Sequence, residues 1–188
     1  NASVVFHDNS TAGNGTFVTG RGSGNGNGSV QLYDAASAGN ANFTISGSGG
    51  GILFDMWGGT LSNATLTVNG GATDSSDTFA RIHFYSTADQ ASLVANGGLD
   101  MGQIFFQYGA TAGEATLTAN PTTVPNGTGG SFQFSSGASA GDSHITANGA
   151  GGTGNNAEGL LTCMGGTVTT AANATNVATG GAKGGRGG

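Results

Sequence analysis

Positive charge is scarce in this sequence. Its 188 residues contain four Lys and Arg against ten Asp and Glu, which leaves a formal net charge of -6. Charged residues make up 7% of the chain, where about 25% is usual. Nucleic acids and anionic lipid surfaces are bound by clusters of cations, so we expect neither a nucleic acid nor an anionic membrane as a partner.

Cysteine, proline and long apolar runs are also rare. Cys163 is the single cysteine and cannot form an internal disulfide. Two Pro, with glycines that do not recur at every third residue, exclude collagen. No apolar run approaches the roughly 18 residues of a membrane-spanning helix, so we expect no transmembrane segment. The chain starts at Asn1 without a signal-like segment, and we take it as a mature protein or a piece of a longer one.

Glycine, by contrast, is abundant. The 39 glycines disfavour helices, because each Gly costs a helix interior about 1 kcal/mol relative to Ala. Hydrophobic residues make up 36% of the chain and ten are Phe, a composition that argues against disorder. The sequence therefore favours a β-structure with many turns.

An internal repeat of about 22 to 29 residues accounts for this composition. Each unit has an apolar segment, a small-residue turn such as STAGN, a second apolar segment and a variable Gly-rich stretch. The predicted units are 3–28, 29–51, 52–80, 81–102, 103–130, 131–159 and 160–177. We predict one domain over 1–177 and a flexible Gly-rich tail over 178–188.

Each unit has four positions that keep mainly apolar residues, two in each apolar segment. The two positions of a segment are two residues apart, so they lie on the same face of a strand. The first segment is predicted to place inward Val4, Val30, Ile52, Ile82, Ile104, Phe132 and Leu161, followed by Phe6, Leu32, Phe54, Phe84, Phe106, Phe134 and Cys163. The second is predicted to place inward Phe17, Phe43, Leu66, Leu93, Leu117 and Ile145, followed by Thr19, Ile45, Val68, Ala95, Ala119 and Ala147.

These slots predict an all-β fold: a β-solenoid, in the form of a right-handed parallel β-helix of about seven coils. Cys163 replaces Phe in an inward slot, so we expect it to be buried. Asn176 near an apolar slot indicates that the last unit is a capping coil. A repeated Asn after the second strand is expected at a corner, in left-handed geometry or as an amide ladder: Asn69, Asn96, Asn120 and Asn148.

The repeated phrase resembles known repeats. STAGNGTFVTG, SAGNANFTISG, LSNATLTVNGG, TAGEATLTANP and SAGDSHITANG are similar to the repeats of large bacterial cell-surface proteins of the autotransporter-passenger and related β-solenoid type. The resemblance implies export and an extended β-helical stalk. It transfers no catalytic residue, because the matched positions are core and turn positions.

Residues suited to chemistry are few and scattered. His7, His83 and His144 occupy different repeat positions, and no motif for a metal or a cofactor is present, so we expect no cofactor, no metal site and no catalytic residues. Asp8 and Asp34 share one repeat position, where they form a solvated turn or hold a cation. A carbohydrate-active β-helix enzyme remains an alternative, since such enzymes use paired carboxylates in a cleft.

The outward positions of the second strand carry many hydroxyls. Two parallel ranks are predicted, and their threonines include Thr16, Thr44, Thr65, Thr67, Thr116, Thr118 and Thr146. This arrangement resembles the Thr arrays of ice-binding β-solenoids, which provides a second alternative function. Thr is also a good strand former, so the ranks have a purely structural interpretation as well.

The outward positions of the first strand are partly apolar. A candidate strip for lateral contact with another chain consists of Val5, Tyr33, Leu53, Tyr85 and Phe105. The first unit has no capping features, so its strand edges are expected to pair with another chain. The sequence thus favours a non-enzymatic extracellular fibre subunit or adhesin stalk that self-associates, with a surface carbohydrate or a protein as a candidate ligand.

Overall fold

The computed structural model describes residues 2–20, 27–46, 51–71, 78–83, 85–150, 158–164 and 173–179. Within these ranges the chain forms strands and turns, and no helix. The described strands are β1 (Ala2–Phe6), β2 (Thr16–Thr19), β3 (Gly28–Tyr33), β4 (Asn42–Ser46), β5 (Gly51–Trp57), β6 (Thr65–Asn69), β7 (Thr78–His83), β8 (Ser92–Asn96), β9 (Gly102–Phe106), β10 (Thr116–Ala119), β11 (Ser131–Phe134), β12 (His144–Asn148), β13 (Leu160–Cys163) and β14 (Thr175–Thr179).

Two parallel sheets face each other. The odd-numbered strands form one seven-stranded sheet in chain order, and the even-numbered strands form the other. An odd strand and the even strand after it make one coil, and each coil pairs in parallel with the next. The predicted all-β parallel β-helix is confirmed. The solenoid has about five closed turns, slightly fewer than the seven predicted. The first and last of the seven strand pairs are open ends, since their inward positions are partly exposed to solvent.

The inward columns of the even-strand sheet are those predicted. Phe43, Leu66 and Leu93 pair across successive strands, and Ile45, Val68 and Ala95 follow two residues later. These side chains are buried, and each large one contributes roughly 1.5–3 kcal/mol to stability.

The odd-strand register differs from the prediction in two coils. Val30 pairs with Phe54, not Ile52, and Ile104 pairs with Ala80, not Ile82. An irregularity between Ile52 and Phe54 accompanies this two-residue shift. Phe54 and Ile82 keep inward positions, since they pair with the buried Val30 and Phe106. The prediction for Ile52 is wrong, because Ile52 pairs with Phe79, which is in register with Gln103 outside the inward columns. The predicted slot residue Phe84 lies outside the described residues.

A short third side joins the two sheets, at positions that were predicted to be turns. One hydroxyl residue per coil forms an isolated parallel bridge to the next coil: Thr11, Ser37, Thr60, Thr87, Thr111 and Ser139. Each side-chain oxygen also accepts a hydrogen bond from the backbone N–H two residues later, as Ser37 does from Gly39 at 3.1 Å. We call this column the hydroxyl ladder. It aligns the corners of successive coils.

The repeated asparagines form the predicted amide ladder. The side-chain amide of Asn96 donates to Asn69 at 2.7 Å, that of Asn120 donates to Asn96 at 2.8 Å, and that of Asn148 donates to Asn120 at 2.9 Å. These residues are at the ends of even strands and have no positive φ, so the ladder alternative is confirmed and the left-handed one is wrong. Each bond adds about 0.5–1.5 kcal/mol.

Candidate binding surfaces

The outer face of the even-strand sheet carries the predicted threonine ranks. Strand pairing aligns Thr16, Asn42, Thr65, Ser92, Thr116, His144 and Thr175 in one rank. The second rank is Val18, Thr44, Thr67, Val94, Thr118, Thr146 and Val177. All seven predicted threonines therefore lie on one face, exposed or half-buried. Successive members of a rank are about 4.8 Å apart, and the two ranks are separated by two residues along each strand.

The five residues of the candidate lateral strip are not brought together. Val5 and Phe105 belong to one outward rank, but the members of that rank between them are polar or charged: Gln31, Asp55 and Arg81. Tyr33 belongs to the next outward rank. Leu53 lies at the strand irregularity, and its side chain is outside the described part of the structure. No continuous apolar strip results, and contact of these residues with another chain stays a prediction.

Tyr33 and Tyr85 instead belong to an aromatic group at the corner where the odd strands end. Trp57 pairs in register with Tyr33, while Tyr85 and Tyr108 have positive φ values of 62° and 53° in the turns of later coils. We call Tyr33, Trp57, Tyr85 and Tyr108 the aromatic rim. Their side chains are half-buried to exposed, and Tyr85 is 85% exposed.

Trp57 and Tyr108 are not among the site residues predicted from the sequence. The signal that identifies them is the distance to the hydroxyl ladder. The aromatic residues lie two to four residues before the ladder hydroxyl of their coil, as Trp57 lies three residues before Thr60. Aligning the units on this hydroxyl rather than on the apolar letters places the aromatic residues of successive coils at one corner.

Among the titratable residues considered as candidate sites, Asp8, Asp34 and His7 lie near one another. Asp8 and Asp34 both have left-handed backbone geometry, with φ values of 57° and 61°. The backbone N–H of Asp8 donates to Asp34 Oδ2 at 3.3 Å, and His7 Nδ1 lies 3.5 Å from the same oxygen. Each aspartate therefore lies in the turn of its own coil, and the two turns are neighbours. In the part of the chain that the structure describes, no group of three His, Cys, Asp or Glu is placed to hold a metal ion.

An open groove of about 600 Å³ runs beside the hydroxyl ladder. It contains three acidic residues from successive coils: Asp89, Glu114 and Asp142. Each carboxylate accepts a hydrogen bond from a neighbouring side chain, from Thr87 at 2.8 Å, Gln90 at 3.2 Å and Asn173 at 3.0 Å respectively. These bonds connect the carboxylates to neighbouring side chains at this corner.

At the ends of the solenoid, the expectation that Cys163 is buried is wrong. Cys163 is exposed, not buried, because its strand β13 is the last of its sheet and no described strand covers it. Asn176 pairs with Ile145 and is exposed, and a capping role of the last coil stays a prediction. At the other end Val4 occupies an inward column and is still 43% exposed.

Comparison of this chain with protein-family models, with curated proteins and with solved structures finds no match. The resemblance to cell-surface repeats therefore stays a prediction from the repeat phrase. Among the described residues, no helix is long and apolar enough for a bilayer crossing.

Proposed function

We propose that this chain is a structural, non-enzymatic repeat protein of the cell exterior, a fibre subunit or stalk segment that self-associates through its coil ends. The observation that supports the proposal is that the first coil has open strand edges. Strands β1 and β2 end the two sheets, and no described strand pairs with their outer edges. Val4 and Val5 on β1 are 43% and 40% exposed, and Phe17 on β2 is half-buried.

Such an end is suited to stacking. Unpaired strand edges offer rows of backbone donors and acceptors, and the apolar column above them adds hydrophobic area. A second coil placed on this end would extend both sheets and bury Val4, as Val30 is buried one coil further. A head-to-tail contact of this kind does not close, so it produces filaments. The location outside the cell is supported by the repeat phrase alone.

The intact protein is expected to form filaments in negative-stain images, and its sedimentation is expected to depend on concentration. Val4→Glu places a charge in the stacking column and should weaken association by about tenfold or more, since a buried unpaired carboxylate is costly. Val94→Glu is the matched control, because Val94 points outward in an inner coil. A protein that stays monomeric at every concentration, or equal effects of the two variants, would contradict the proposal.

Ice binding is a second candidate, supported by the in-register threonine ranks. It predicts thermal hysteresis that disappears in Thr67→Tyr or Thr118→Tyr, because a large ring disrupts the flat array. Gln133→Tyr on the opposite sheet is the control and should leave hysteresis unchanged. Absence of hysteresis at high protein concentration would end this candidate.

A further inference from the structure

The aromatic rim presents four large rings in four successive coils. Exposed fractions of 42% for Trp57, 85% for Tyr85 and 50% for Tyr108 show that these rings are not part of the core. Exposed aromatic residues scattered singly are ordinary, but a row at one corner of successive coils is a surface feature. Adjacent strands place neighbouring coils about 4.8 Å apart, so the rim is an extended array and not a single pocket.

Local contacts hold several of these rings in place. The indole N–H of Trp57 donates to Asp55 Oδ2 at 2.7 Å, which orients the indole. The imidazole of His7 stacks on Tyr33 with ring centroids 5.0 Å apart and an interplanar angle of 12°. The ring of Tyr85 lies over Gly109, where a Cβ would be 2.8 Å from the tyrosine Cε1. Rings that are already oriented lose little conformational entropy on binding a ligand.

Two acidic residues flank the rim at its Tyr33 end. The side chain of Asp34, next to Tyr33, is 59% exposed, and Asp8 lies one coil away in the same turn position. Arg81 is the one cationic residue within the described ranges, and the chain carries a net charge of -6. Aromatic faces also stack on nucleic-acid bases, but such binding requires a cationic groove for the phosphates. An anionic polymer is therefore disfavoured.

A second copy of the chain also fits this rim poorly. Lateral packing of two rods needs a continuous apolar area with few charges at its centre. The outward rank next to the rim contains Gln31, Asp55 and Gln133, so the area beside the rings is polar. Exposed rings with carboxylates beside them suit a ligand that has both apolar faces and hydroxyls.

We propose that the aromatic rim is a binding site for a neutral polysaccharide. The C–H faces of its sugar rings lie against the negative faces of the exposed aromatic rings, and its hydroxyls donate hydrogen bonds to the flanking carboxylates. The repeat of the coils extends the site along the solenoid axis, so a polymer engages several rings at once and a single sugar binds weakly. This proposal goes beyond the fibre function and does not rest on filament formation.

The test uses the full chain with named probes: insoluble cellulose, chitin and β-1,3-glucan in pull-down assays, and soluble xyloglucan and alginate in affinity electrophoresis. We expect retention by at least one neutral polysaccharide and none by the anionic alginate. The double variant Trp57→Ala/Tyr85→Ala should lower the association constant by about tenfold or more. Both residues are largely exposed, so the fold should be kept, and circular dichroism checks this.

Two further variants make the readout specific. Tyr85→Phe keeps the ring and should keep binding, while Val18→Ala removes an exposed apolar side chain elsewhere and should have no effect. The proposal is overturned if no neutral polysaccharide is retained, if alginate alone is retained, or if the double variant binds as well as the original chain. It is also overturned if the double variant changes the sedimentation of the chain while no polysaccharide binds, since the rim is then a contact between copies.

Discussion

Phe106→Ala is expected to lower the free energy of unfolding by about 3–5 kcal/mol. Phe106 is fully buried in the odd-strand sheet and stacks on Phe134 of the next coil, with ring centroids 4.6 Å apart. Truncation removes this contact and leaves a cavity between two coils that both continue in register. Since each coil is stabilised mainly by its neighbours, the loss is felt on both sides of the missing ring. Urea denaturation followed by far-ultraviolet circular dichroism measures the change.

The matched control is Phe105→Ala, one residue earlier on the same strand. Phe105 belongs to an outward rank and is half-buried, so its truncation should cost about 1 kcal/mol or less. Equal costs for the two substitutions would mean that β9 does not direct Phe106 inward and Phe105 outward. The register of the odd-strand sheet would then need revision.

The second large effect is expected for Gly98→Ala, at about 3 kcal/mol of destabilisation. A Cβ on Gly98 would lie 2.6 Å from the carbonyl oxygen of Gly71 and 2.7 Å from the carbonyl carbon of Gly70. Gly98 also exchanges backbone hydrogen bonds with Thr128 at 3.1 and 3.0 Å. The residue is held between loops of two other coils, and backbone atoms on both sides cannot rotate away as a side chain can.

Gly13→Ala is the control, because a Cβ there would have no atom within 4 Å. Gly13 has a φ of 62°, so alanine adds only the strain of left-handed geometry, about 1 kcal/mol. In thermal unfolding, the melting temperature of Gly98→Ala should be well below that of Gly13→Ala. If the ranking is reversed, the packing of loop on loop around Gly98 is not a main source of stability.

Most of the coil interior could be predicted from the sequence. Residues spaced by two, such as Phe43 and Ile45, share a strand face whatever the tertiary structure is. The distance between the two strands of a unit is nearly constant, and this predicts stacked coils. The amide ladder followed in the same way, because one Asn recurs at one position of four consecutive units.

The odd-strand register of the third and fourth coils could not be predicted from apolar letters alone. Ile52 and Phe54 are both acceptable in an inward slot, and strand period two does not distinguish a shift of two residues. The backbone bridge at Thr60 and the irregularity before Phe54 select the observed register. The aromatic rim depends on this choice, since Trp57 faces Tyr33 only in the observed register.

The sequence by itself was sufficient to predict the β-solenoid. The scarcity of cations and the repeat can be read from the sequence directly, and the strand faces follow from the two-residue period of a strand. Only the tertiary structure determined which residues of different coils are neighbours. Examples are the exposure of Cys163, the loop packing around Gly98 and the corner shared by Trp57 and Tyr85. The physical reason is that paired residues of neighbouring coils are about 23 to 31 residues apart in the chain, and backbone pairing between coils sets their alignment.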